Sequence, residues 1–327
     1  MAYEIVTIGS ATVDQFAETD SELIQIETPT MKEKLIAFPL GSKILIKELT
    51  LSVGGGGTNS AVCFSRLGLN TAFMGKIGQD GNGDFILQQL QKEGVDFIGA
   101  REGVSGVSVI LNSFADDRTI LAFKGANNQL GVTDIPPLDT RWVYLSSMLE
   151  TSFDSVMTLL QQHSFRLAFN PSNYQAEMGY AALSELINKV DILVMNLEEA
   201  CKFLGLVYTQ KPDPDTVLTK LAELPPSIVV ITDGKNGVYA SDGDYAYHAH
   251  PVTKLAVKET TGAGDAFSAS FTAACIREYD IETAIHLAMT NAESVLQHRG
   301  AKEKLLSMEE VLSIADQQRR VITKKAF

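Results

Sequence analysis

Short apolar runs alternate with longer amphipathic stretches along this chain. Ile5-Val6-Thr7-Ile8-Gly9 is a first run, closed by a glycine turn, and Thr71-Ala72-Phe73-Met74-Gly75 is a second. Trp142-Val143-Tyr144-Leu145, Leu167-Ala168-Phe169-Asn170, Ile192-Leu193-Val194-Met195-Asn196 and Ile228-Val229-Val230-Ile231-Thr232 follow. Runs apolar at successive positions suit strands covered on both faces, as in a buried parallel sheet. Between them, Phe153 to Gln162, Ala181 to Lys189 and Thr216 to Leu224 carry helical spacing. This alternation predicts a doubly wound α/β sheet flanked by helices.

Two regions break the rhythm. Residues near 15–52 and near 104–125 are strand-like but more polar, as in Lys43-Ile44-Leu45-Ile46-Lys47-Glu48-Leu49 and Val107-Ser108-Val109-Ile110-Leu111-Asn112. The pattern fits a small antiparallel sheet projecting from the main one, and equally edge strands of the main sheet. Toward the end, Ile281 to Gln297 and Met308 to Val321 have helical spacing. Ser307 and Glu310 form a candidate capping box, and Arg319-Arg320 and Lys324-Lys325 read as a solvated helix end. His286 and His298 fall on helical stretches, and His248-Ala249-His250 on an exposed strand face.

Composition narrows the function. The chain has 327 residues, 45% of them apolar, which is enough for a large core. A net charge of −13 disfavours nucleic acid and anionic membrane as partners. Three dispersed cysteines, Cys63, Cys201 and Cys275, fit neither a disulfide framework nor a zinc site, and suit a reducing cytoplasm. The first residues do not read as a signal peptide, and no run reaches the roughly 20 apolar residues of a membrane span.

Four stretches carry candidate chemistry. Thr261-Gly262-Ala263-Gly264-Asp265 opens a helix of small and apolar residues. A helix start offers free N–H groups to a phosphoryl group, and a first-turn carboxylate can take a proton from an attacking hydroxyl. Alone, this run is more often an ordinary capped helix start after a turn. Gly54-Gly55-Gly56-Gly57-Thr58-Asn59-Ser60-Ala61 lets the backbone approach a ligand, with Asn59 as donor and acceptor for a polyol. It matches neither a Walker loop nor a Rossmann fingerprint. Asn196-Leu197-Glu198-Glu199 supplies hard oxygen ligands for hydrated Mg²⁺, or simply a capping box. Thr232-Asp233-Gly234-Lys235-Asn236-Gly237 is a glycine turn, by default a hairpin. Asp14, just past the first strand, could hold a substrate hydroxyl pair or cap a turn.

Taken together, these ordered stretches resemble the PfkB/ribokinase family of carbohydrate and nucleoside kinases, from Ile5 to Gly300. Gly55 to Ala61 with Gly68 and Gly78, then Gly78-Gln79-Asp80-Gly81-Asn82-Gly83, match its N-terminal pattern. Gly125-Ala126-Asn127, Asn196 to Glu199, Thr232-Asp233-Gly234 with Gly237, and Thr260 to Asp265 match its later motifs. The resemblance implies a ribokinase-like fold in one kinase domain, with the two polar regions as a β-sheet lid that in this family often makes a dimer contact. It implies ATP-dependent phosphorylation of a sugar hydroxyl, with a nucleoside as the alternative acceptor and a non-catalytic sugar sensor as the remote one. Asp265 would be the base, and Gly262, Ala263 and Gly264 the anion hole. Asp14, Gly55, Gly56 and Asn59 would hold substrate, with Glu150 nearby. Asn196 and Glu199 would organise Mg²⁺, Glu199 through water. Thr232, Gly234 and Gly237 would line the nucleotide, and Asn291 the adenine side.

The departures are specific. Glu259 replaces the usual Asp or Asn near the monovalent-cation site of ribokinase-like members, which weakens the case for K⁺. Ser270 stands where the signature prefers Ala or Gly. Gly56 and Thr12 replace the lysine and asparagine that ribokinases direct at ribose, so ribose is not favoured.

Overall fold

The computed structural model describes residues 3–19, 22–27, 32–112, 118–210, 212–252, 255–298, 300–318 and 320–327. Ten strands form the main sheet. In spatial order they are Ile322–Ala326, Tyr245–Ala249, Val238–Ser241, Ile228–Thr232, Ile192–Asn196, Arg166–Asn170, Thr140–Ser146, Tyr3–Ile8, Thr71–Met74 and Asp96–Phe97. Ile228–Thr232 through Asp96–Phe97 are parallel, and the three strands beyond Ile228–Thr232 are antiparallel.

Alternate residues of each central strand enter opposite layers. Ile5, Trp142, Tyr144, Ile192 and Val194 pack with the helices Gly56–Arg66, Ala263–Ile276 and Ile281–Leu296. Val6, Ile8, Val143, Leu145, Leu193 and Met195 pack with Glu150–Gln162, Asn173–Ile187, Leu197–Phe203 and Pro214–Ala222. Coverage on both faces explains why the strands read as near-continuous apolar runs.

The polar regions form a separate four-stranded sheet in the order Arg118–Phe123, Gly106–Asn112, Thr12–Thr19, Ile46–Gly54. It is mixed rather than antiparallel, because Thr12–Thr19 runs parallel to Gly106–Asn112. An antiparallel ribbon, Glu22–Glu27 with Lys32–Ala37, lies within the first region. Lys43, Ile44 and Leu45 precede the strand rather than belonging to it, and Asp14 sits within a strand rather than at a turn. Residues 20–21, 28–31 and 113–117 of these regions lie outside the described residues, as does Arg319.

The C-terminus departs from its periodicity. The helix starting at Met308 ends at Gln317, and Ile322–Ala326 adds a strand to the main sheet. The segment is therefore no solvated helix end. The Arg320 side chain is buried, bonded through both terminal nitrogens to Glu293 at 2.5 and 2.7 Å. A helical pattern loses here to the gain of pairing with an open strand edge. His298 lies just past the helix Ile281–Leu296, its Nδ1 3.0 Å from the Ser294 carbonyl.

Candidate active site

A cavity of about 400 Å³ opens where the parallel strands end at their carboxyl termini. Ser10, Ser146, Asn170, Asn196 and Thr232 reach it from five successive strand ends, the edge where open α/β sheets collect ligands. Gly262, Gly264 and Asp265 close it from the start of the helix Ala263–Ile276, and Gly56 from the start of its neighbour.

The helix start at Gly262 is built for close approach. Gly262 has φ 76°, a left-handed conformation that L side chains rarely adopt, and an added Cβ would lie 2.4 Å from that of Ala301. Gly264 has open space around it, so its edge faces the cavity. The first-turn amides of a helix lack intrahelical partners, and Gly262, Gly264 and Asp265 of this turn line the cavity. Small buried residues follow, including Ala266, Ala269, Ala273 and Ala274, and they let this helix pack on Gly56–Arg66.

Asp265 lies between the two helix starts. Its Oδ2 accepts from Asn59 Nδ2 at 2.8 Å, and its Oδ1 stands 3.6 Å from where a Gly56 side chain would begin. Burial pushes its carboxyl above the ordinary aspartate range. The Asn59 bond and the Lys302 ammonium pull the other way, and the Asp14 charge raises it further. Asp14 is buried, with Oδ1 accepting from Thr12 Oγ1 at 2.8 Å, and its carboxylate fills the space a Gly54 side chain would need. Asn59 Oδ1 and Ser146 Oγ are buried with no hydrogen-bond partner among the described residues, capacity that a ligand hydroxyl could use.

At the other end, Asn196 and Glu199 form a reciprocal capping box. Asn196 Oδ1 accepts from the Glu199 amide at 2.8 Å, and Glu199 Oε2 from the Asn196 amide at 3.0 Å. Both residues also line the cavity, so capping and ligand contact are not exclusive. Burial pushes the Glu199 carboxyl up to about 7, against the helix-start bond that lowers it. Such a carboxylate gains when a cation arrives. Thr232 lines the cavity, while Gly234 and Gly237 shape the turn between Ile228–Thr232 and Val238–Ser241, so the hairpin geometry holds.

Of the sequence candidates, Gly56, Asn196, Glu199, Thr232, Gly262, Gly264 and Asp265 line the cavity; Asp14, Gly55, Asn59, Ala263, Gly234 and Gly237 stand behind or beside that lining, and Glu150 and Asn291 are not part of it either. Glu150 is exposed at the start of its helix with φ 54°, and Asn291 is fully buried. The Asn291 side chain joins Ser270 Oγ at 2.8 Å and the Leu306 amide at 2.9 Å, a tie between helices and the loop after them.

Others were hidden in the sequence. Asn127 clamps the base of the small sheet, exchanging two 2.8 Å bonds with the backbone of Ala11, and its motif Gly125-Ala126-Asn127 gave the only hint. Asp80 caps the helix Gly81–Lys92 through the Gly83 amide and accepts from Ser105 twice, so the Gly78 to Gly83 motif ties this helix start to the residue before Gly106–Asn112. Lys124 is the only cation among the described residues that line the cavity. Its ammonium stands 5.5 Å from the ring centroid of Tyr174, with no carboxylate partner among the described residues.

A pfkB family carbohydrate kinase model matches residues 4–308, and the chain belongs to that family. It is 26% identical to a ribokinase of Staphylococcus aureus over 321 residues, covering 95% of this chain and 99% of that protein. Its fold superposes on a ribokinase of Thermotoga maritima with a TM-score of 0.77 at 21% identity, covering 96% and 99% of the two chains. A nucleoside kinase of Methanocaldococcus jannaschii gives the same score at 18% identity, covering 97% and 99%. The fold is thus ribokinase-like, a mostly parallel sheet flanked by helices with a separate small sheet. No helix of the described residues is long and apolar enough to cross a membrane.

Proposed function

We propose that this protein, as a single kinase domain, transfers a phosphoryl group from ATP to a hydroxyl of a small sugar or sugar derivative. The observation that carries this reading is the meeting of Asp265, Asn59 and two glycine-opened helix starts at one cavity. Asp265 accepts the proton of the attacking hydroxyl while Asn59 orients its carboxylate. The amides opened by Gly262, Ala263 and Gly264 face the transferring phosphate and stabilise its charge. Asp14, Gly55, Gly56 and Asn59 hold the sugar, Asp14 from the small sheet, which serves as a lid that excludes water. Thr232, Gly234 and Gly237 form the nucleotide side.

Among the described residues no cluster of three acids, histidines or cysteines could hold a metal directly. The donor set of Asn196 and Glu199 instead fits a hydrated Mg²⁺ arriving with nucleotide. Mg²⁺, when bound, supplies positive charge to phosphate oxygens. Positioning and charge stabilisation then provide most of the rate.

Lys124 favours a sugar bearing an anionic substituent over a neutral nucleoside, since it brings an unmatched positive charge to the cavity wall. ATP consumption over neutral sugars, sugar phosphates, sugar acids and nucleosides, with and without K⁺, tests both points. Turnover should be highest on an anionic sugar, and Lys124→Met should raise its KM by about tenfold or more. Tight sugar binding with no turnover on any compound would instead identify a sensor on the kinase scaffold.

The lid also has a candidate partner. By strand register, Leu49, Leu51, Val109, Leu121 and Phe123 share the face opposite Asp14. Leu49, Leu51, Leu121 and Phe123 are more than half exposed. A second copy of this chain, pairing lid to lid, would cover them.

A further inference from the structure

Lys302 is a lysine the phosphoryl-transfer reading does not use, yet it is tied into the same site. It belongs to the segment 300–306, which crosses behind the anion hole. The Gly300 amide donates to Glu259 Oε2 at 3.0 Å, and Ala301 fills the space that glycine leaves at 262. Arg66, held by Glu93, donates from Nη1 to the carbonyls of Lys302 and Leu305, each at 2.9 Å. The Leu306 amide donates to Asn291 Oδ1. With its backbone fixed on both sides, Lys302 sends its side chain inward. Nζ donates to the Val53 carbonyl at 2.6 Å and to Thr58 Oγ1 at 3.0 Å.

Those two acceptors flank the glycine loop. Val53 is next to last in the lid strand that pairs with the Asp14 strand, and Thr58 precedes Asn59, which holds Asp265. The ammonium is thus anchored between the lid strand and the start of the glycine-loop helix, on residues next in sequence to Gly54, against which Asp14 packs, and to Asn59, which holds Asp265. The charge of buried Asp14 raises the carboxyl of half-buried Asp265, and a nearby cation works against that rise.

We propose that Lys302 is a positioning residue for phosphoryl transfer, an internal cation anchored on Val53 and Thr58 that ties the glycine loop to the anion hole and supplies the counter-charge for Asp265. The proposal rests on Asp265 acting as the base. Burial draws the Lys302 ammonium down to about 7, the direction expected for a lysine taken out of water. Asp14, Asp265 and Glu93 favour its charged form, and Arg66 opposes it. The same electrostatic coupling appears at Asp265, where Lys302 is one of two influences that lower a carboxyl otherwise raised by burial and by Asp14.

Charge and hydrogen bonding can be separated. Lys302→Gln keeps N–H donors for Val53 and Thr58 but removes the charge, and Lys302→Arg keeps the charge. The pH dependence of kcat/KM for ATP-dependent sugar phosphorylation is measured for each, with thermal melts as a control on folding. In Lys302→Gln the acid limb should move up by about one pH unit or more, so activity near that limb falls roughly tenfold and recovers at higher pH. Lys302→Arg should restore the wild-type limb. An unshifted limb in Lys302→Gln, with either uniform loss or none, overturns the proposal and leaves Lys302 a structural tie. If Lys302→Gln does not fold, the wild-type profile decides. An acid limb below about pH 6 supports a carboxylate held charged, and one at or above that pH refutes it. Asp265→Asn run alongside keeps the two readings apart. Retained turnover there sinks the base itself, whereas a dead Asp265→Asn with an unshifted Lys302→Gln sinks only the role of Lys302.

Discussion

Asparagine at position 265 would keep the size of the side chain and remove the proton acceptor. Asp265→Asn should therefore lower kcat by roughly 10²–10⁴-fold while ATP affinity, measured by calorimetry, changes little. Near-wild-type turnover in this variant would contradict the reading of the site. The wild-type enzyme carries its own signature in pH. Burial raises the Asp265 carboxyl, and in the proposed role it accepts a proton only when ionised. Activity is therefore lost as pH falls through that raised value, at higher pH than an ordinary aspartate would give, and a kcat/KM profile from pH 4 to 9 reads it (about 3.9 is ordinary).

At the scale of an element, the helix Leu197–Phe203 starts with a carboxylate whose folded value, about 7, lies above its ordinary value of 4.5. Between those values the folded chain binds more protons than the unfolded one, so wild-type stability falls as pH rises through this window. Glu199→Gln removes that slope and keeps the capping geometry, since glutamine also serves at this position. Its Tm should gain on wild type between pH 5 and pH 8, while its Mg²⁺ requirement at low metal rises. An equal Tm offset at both pH values would show that Glu199 is not desolvated.

Whole-molecule assembly depends on contacts far apart in sequence. The Glu293–Arg320 pair joins the helix Ile281–Leu296 to the segment that leads into the last strand, and Glu293 also accepts from the Val252 amide at 3.0 Å. Arg320→Met leaves that carboxylate buried without its partner, a change that costs about 3–5 kcal/mol in comparable pairs. Chemical denaturation should show this loss, and a Glu293→Gln, Arg320→Met double variant should recover part of it. The proposed lid contact is also a matter of the whole molecule. If two copies pair through Leu49, Leu51, Leu121 and Phe123, Leu121→Glu should shift the species seen by light scattering from dimer to monomer. A wild-type monomer at all concentrations would remove this partner.

The central sheet was legible because its strands are buried on both faces, and a two-sided apolar run such as Ile192 to Met195 has few other folds open to it. Gly262 to Asp265 and Gly55 to Asn59 were legible for a local reason: a glycine-opened helix start presents the same amides wherever it occurs. Tertiary structure decided the rest. Only the parallel register and the docking of two helices bring Asn59 within 2.8 Å of Asp265, 206 positions away. Whether the polar regions formed edge strands or a separate mixed sheet depended on Thr12–Thr19 pairing with Gly106–Asn112, which alternation cannot specify. Residues 322–326 became a strand because an unpaired edge was available to them. Lys124 and Lys302 carry no motif at all, since a lone lysine means nothing until the fold shows which charges it faces.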